Sequence, residues 1–515
     1  MRTSRPLLWL VMVWLSAAAN VWSQEIQIPE AAGFNAAGVP AYAGEHVLVY
    51  AHIDENLDAH LAHLVRWVRQ RSISAQNVGV RDMARLLATD LTSLGFSEVT
   101  LVESAGHPGV WGYFDAKAEK TLVIYMMYDV QPVNPEDWQV PPFAGEVIDH
   151  PLGKVLMARA ATNQKGPERA FLNALSSIIA VEGTLPVNLM VLAEGEEELG
   201  SPNFPEIVDA YAARLKTADG VFFPFNSQTP SGDVSLFLGV KGIVYFELEA
   251  NGSASGGPAI AEIHGSYKAI ADAPAWRLTQ ALASLTTADG NVIEVPGYYD
   301  SIRPPTEEEV WVFNGTVAGW VRREAEIREG FGIAEWIDGI TGRTSLATLT
   351  FGTTLNIDGI WGGYTGEGVK TILPHKATAK LDSRLVPNQT PDEALRLIRA
   401  HLDANGFADI LLRKISGYPP AQTSVDTPLV RAALGVFNKH GSTPSLSVRI
   451  AGSAPYYVFT DLGLPLIAAG MGLGAGAHAP DEFMVIEPVA GSRVAGLADV
   501  EKFYVDLLYA LAAAR

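Results

Sequence analysis

Along this chain the apolar positions change period, and the changes mark out the elements. His60, Leu61, Leu64, Val65 and Val68 recur at helical spacing, as do Met83, Leu86, Leu87, Leu91 and Leu94 before Gly95. Two amphipathic helices are therefore predicted to open the folded part. Short β-type runs follow at 99–101, 121–128, 187–192 and 220–225, with helical stretches between them. Strands of that length alternating with helices predict an α/β domain with a mostly parallel central sheet. Ligand sites in such sheets gather at the carboxyl ends of strands.

From about Gly242 the character shifts. Residues 243–250 alternate as a strand, 276–285 read as a helix, 377–385 as another strand and 391–402 as a helix. This predicts an inserted α+β domain over 242–420, splitting an α/β domain made of 24–241 and 421–515. A helix near 428–440, a strand at 466–469 and a last amphipathic helix at 498–513 complete that domain. No internal repeat or low-complexity linker interrupts the pattern.

The first 23 residues stand apart from the fold. Arg2 and Arg5 precede an apolar run at 7–15, and Val21 and Ser23 take the −3 and −1 places of a cleavage site before Gln24. That is the pattern of a secretory signal peptide, and the run is short beside the ~20 apolar residues of a bilayer span. An exported protein, periplasmic or secreted, is expected, with no membrane span after cleavage. The absence of cysteine agrees with an oxidising compartment. A net charge of −20 over 515 residues argues against a nucleic-acid partner, which needs clustered Lys and Arg.

Three segments carry candidate chemistry. Met126-Met127-Tyr128-Asp129-Val130-Gln131-Pro132 ends one β run, and Glu194-Gly195-Glu196-Glu197-Glu198-Leu199-Gly200-Ser201 ends another. Gly476-Ala477-His478-Ala479-Pro480-Asp481-Glu482-Phe483 lies near the C-terminus. Taken alone, a Glu-rich run is usually a solvated face; ending a strand and leading into Gly-Ser reverses that reading. In their order and spacing the three resemble the M20 metallopeptidases, and within them the dipeptidase, carnosinase-like branch.

The resemblance implies an α/β catalytic domain split by a dimerisation (lid) domain, a homodimer, and two zinc ions about 3.5–4 Å apart. It places Glu197 as general base, Glu198 and His478 as metal ligands, and Asp129 as the carboxylate that orients a metal His. The remaining metal positions fall on Met127, Asn163 and Phe225. A thioether is a poor zinc ligand, an amide offers one neutral oxygen where two cations share a carboxylate, and a phenyl ring offers nothing. Zinc is thus the implied cofactor, and no metal at all is the alternative.

Substrate positions match better. His264, in Glu262-Ile263-His264-Gly265-Ser266, falls where the family's His reaches across the dimer to the substrate carbonyl, though two residues of that segment are swapped in order. Asn356, Arg384 and the Gly452-Ser453 pair fall where the family grips substrate, Arg384 on a carboxylate. Asp382 shares a strand face with Arg384 and could simply pair with it. The expected ligand is a small peptide-like or N-acyl amino acid substrate. Three activities stay open: amidohydrolysis with a non-standard metal site; metal-independent acyl transfer, cyclisation or isomerisation; and non-catalytic capture of carboxylate-bearing ligands.

Overall fold

The protein is described from a computed structural model over residues 26–514; the expected signal segment lies outside the described residues. The helices at Leu57–Arg69 and Val80–Ser93 form where the periodicity placed them. They bury Leu64, Trp67, Val68, Met83, Leu87 and Leu91 on one stripe each, and Gly95, at φ 88°, ends the second.

Among the described residues the main sheet has eight strands. Its centre is four parallel neighbours in the order Asn188–Glu194, Thr121–Met127, Gly220–Pro224 and Leu466–Ala469. Antiparallel pairs close it on both sides, through Gly109–Phe114 against Asn188–Glu194 and through Ser235–Phe237 against Leu466–Ala469. The central strands are buried along their whole length, so they read as unbroken apolar runs rather than alternating ones. Met127 pairs with Glu194 in register, so two of the chemistry-bearing strand ends emerge side by side at the carboxyl edge.

A second sheet of four antiparallel strands runs Thr354–Gly362, Lys376–Leu385, Gly242–Asn251, Leu411–Tyr418. Its strand Gly242–Asn251 alternates buried and part-buried positions, the signature of a sheet with one covered face. The cover is Pro274–Ala283 and Pro391–Ala404, whose Leu278, Leu282, Ile398 and Leu402 meet Val244, Phe246 and Leu248.

Not all of 242–420 belongs to that layer. The helices Glu307–Gly330 and Gly342–Phe351 put Val312, Phe313, Ala347 and Phe351 into the main core of the α/β domain. The first starts at a capping box in which Thr306 and Glu309 satisfy each other's backbone N–H. An N-terminal arm straps the pair down: Arg343 donates to the Ile28 and Pro29 carbonyls, and Phe34 N–H to the Trp311 carbonyl. Among the described residues, no helix is long and apolar enough to cross a membrane.

Candidate functional site

The turn that carries the Glu pair is built by its neighbours. Glu194 ends its strand with Oε1 accepting from Tyr125 Oη at 2.7 Å and Ser201 Oγ at 2.9 Å. Glu196 accepts from the His107 backbone and from Asn203 Nδ2. The short 3₁₀ turn Glu197–Leu199 then begins with two free N–H groups, and Asp129 takes both: Glu197 N to Oδ1 and Glu198 N to Oδ2, each at 3.1 Å. Both oxygens of Asp129 are thereby engaged in positioning the Glu197–Leu199 turn. Burial first, then the Glu198 charge, push its carboxyl up to about 7.

Glu198 is the centre of a cluster with Gln131, Asn163 and His478. Its side chain is 3% exposed. Oε1 accepts from Asn163 Nδ2 at 2.8 Å and Oε2 from Gln131 Nε2 at 2.8 Å, while His478 Nε2 stands 3.1 Å from Oε2 and 3.1 Å from Asn163 Nδ2. His478 is 56% exposed, and its hydrogen bond to Glu198 raises its pKa. Asn163 is fixed in turn through its backbone N–H on Glu482 Oε1 at 2.8 Å. Glu482 is buried and also accepts from Arg159, Ala160 and Thr162.

Glu197 differs from these carboxylates. Among the described residues its side chain has no hydrogen-bond partner, and the phenols of Tyr125, Tyr245, Tyr418 and Tyr456 stand near enough to feel its charge. Burial and then the Glu198 and Asp129 charges hold its pKa well above the usual carboxylate range. Lys165 does not neutralise the pair. It is buried, donates to the Gln70 and Trp67 carbonyls, and burial lowers its pKa to about 7.

The inserted domain closes on this turn: a Cβ on Gly200 would stand 3.1 Å from Ser416 Oγ of the strand Leu411–Tyr418. Arg384 links to Asp382 through Nε at 3.0 Å, the pairing on one strand face, and to Ser453 Oγ through NH1 at 3.0 Å. Asn356 Nδ2 donates to Asp358 and Asp382, and burial with the neighbouring Asp382 pushes Asp358 up to about 6. The Gly452 carbonyl accepts from Lys241 N–H. Tyr245 lies near enough to feel both the Arg384–Asp382 pair and the Glu197 charge.

His264 is not brought to these residues within one chain. It lies exposed on a two-residue strand paired with Leu373 and Ile372, its ring bonded to Ser266 Oγ at 2.8 Å. Sequence reasoning missed Gln131, although it stands two residues past Asp129 in the quoted motif, and missed Tyr125, Tyr245 and Tyr418, which come from three separate segments.

The comparisons fit this architecture. The peptidase dimerisation domain model matches residues 238–409. An M20 family metallo-carboxypeptidase from Sulfolobus solfataricus is 31% identical, with 88% of this chain and 98% of that one covered and a TM-score of 0.77. The chain belongs to the M20 peptidase family. Among curated relatives, a Beta-Ala-His dipeptidase of Rattus norvegicus is 26% identical over 79% of this chain and 85% of its own length. A Cys-Gly metallodipeptidase of Schizosaccharomyces pombe is 27% identical over 69% and 75%.

The zinc pair that the family implies does not fit the residues present. Met127 is 2% exposed and shares an apolar cluster with Tyr125, Phe223, Tyr456 and Phe225. The Phe225 ring packs edge-on to Phe237 at 5.6 Å between centroids. Asn163 turns its N–H₂ group, a donor, toward Glu198. Glu198 spends both oxygens on nitrogen donors. These are not donors arranged around a cation.

Proposed function

We propose that the protein acts on dipeptides or N-acyl amino acids as an M20-type amidohydrolase whose proton-moving group is Glu197. The observation that carries this reading is that, among the described residues, the Glu197 side chain has no hydrogen-bond partner, while Asp129, Glu194, Glu196, Glu198 and Glu482 around it are all bonded. Its oxygens are free for a ligand. Amide hydrolysis breaks the C–N bond, takes a proton from the attacking water and delivers one to the leaving amine; a carboxyl placed beside the amide serves both transfers in turn. Arg384, backed by Ser453 and Asn356, receives the ligand's terminal carboxylate.

The dimerisation-domain match and the exposed His264 support a homodimer in which His264 of one protomer serves the cleft of its partner. The packing of Met127 and Phe225 into an apolar cluster favours a second reading: acyl transfer or cyclisation, in which an amine of the ligand replaces water as nucleophile. The experiment is product analysis on a dipeptide and N-acyl amino acid panel with Glu197→Gln as control. Free amino acids from the parent and none from the variant support hydrolysis. Transferred or cyclised products support the second reading, and ligand-induced thermal stabilisation without turnover would leave only binding.

A further inference from the structure

We infer that Gln131, Asn163 and His478 form a clamp on Glu198 that stands in for a metal, so the chain folds and holds its acidic turn without zinc. The inference concerns the site named above but does not depend on turnover. A carboxylate only accepts hydrogen bonds, so the amide nitrogens of Gln131 and Asn163, both 2.8 Å away, act as donors to it. His478 Nε2 adds a third contact at 3.1 Å.

The three come from three separate stretches: after the strand Thr121–Met127, before the helix Lys165–Glu182, and the segment between Ala475 and Phe483. Each stretch is itself anchored. Met127 N–H donates to Glu168 at 2.8 Å, Asn163 N–H to Glu482 at 2.8 Å, and Asp481 accepts from Gln139 at 2.8 Å.

A second observation is independent of the clamp. At the positions of two family ligands the side chains are Met127 and Phe225, both within one apolar cluster. A cation entering beside Glu198 would displace the Gln131 and Asn163 amide donors and leave the Asn163 N–H₂ group pointing at positive charge, and neither Met127 nor Phe225 offers it a ligand.

The test is elemental analysis of the full-length protein as purified and after dialysis against zinc, with thermal unfolding in chelator and in excess zinc. Expected are well under one zinc per chain and a midpoint that neither additive moves by more than about a degree. Asn163→Asp swaps a donor for a like charge against Glu198. It should lower the midpoint in chelator by roughly 2–6 °C, and zinc should raise it again. Zinc at one or more per chain in the parent protein, or a parent midpoint that falls in chelator, would overturn the inference. So would an Asn163→Asp midpoint equal to the parent's in chelator. A metal-free protein without turnover removes the proposed function and leaves the clamp standing; a zinc-loaded active one does the reverse.

Discussion

Lys241 offers a quantitative check on the cleft's electrostatics. It is 2% exposed, its Nζ donates to the Gly352 carbonyl at 2.5 Å, and no carboxylate pairs with it among the described residues. Burial first, then the Arg449 and Arg384 charges, lower its pKa to about 7. The unfolded chain therefore binds more protons than the folded one between pH 7 and the unfolded pKa, so this residue makes stability rise with pH across that window. At about 1.36 kcal/mol per pKa unit, the charge costs about 4 kcal/mol at pH 7 and about 2 kcal/mol at pH 9. Lys241→Met keeps an unbranched chain of similar length, removes that cost, and forfeits one charged hydrogen bond worth about 1.5–3 kcal/mol. The variant should be more stable than the parent by roughly 1–2 kcal/mol at pH 7, and the advantage should fall by about 2 kcal/mol by pH 9. Urea unfolding of both proteins at the two pH values measures the difference, and other titrating groups cancel in it. An advantage that is constant with pH, or a loss at pH 7, would refute the reasoning.

Arg384→Met should weaken binding of a carboxylate-bearing dipeptide about 10–100-fold by calorimetry, the loss of one or two charge-assisted hydrogen bonds. The same ligand with an amidated terminus should bind parent and variant alike. Phe313→Ala should cost about 3–5 kcal/mol in urea unfolding, because the ring is buried in the main core and not in the inserted layer; a cost below about 1 kcal/mol would contradict that packing. Glu197→Gln should abolish turnover while leaving ligand affinity within a few-fold, since the grip lies on Arg384, Ser453 and Asn356.

Much of the scaffold is legible in the chain because period and burial coincide. The run at 466–469 is a strand with those limits, and the stretch 391–402 is a helix that continues to Ala404. The helix Glu307–Gly330 was not read, although Thr306-Glu307-Glu308-Glu309 spells its capping box; its apolar stripe is broken by Asn314 and Gly315. Glu197, Glu198 and His478 were recognisable from their phrases. Their environment was not. Whether Asp129 faces a metal ligand or two backbone N–H groups depends on where the next strand ends, and Gln131 reaches Glu198 only because two loops from different strands meet. A sequence states which groups exist; the distances among three loops are set by the packing beneath them.

The measurement that bears most directly on the account is dipeptide hydrolysis in saturating chelator, followed by release of free amino acids, for the parent protein and Glu197→Gln side by side. The account predicts turnover by the parent that chelator leaves unchanged and none by the variant. Turnover that vanishes with chelator and returns with zinc would contradict it.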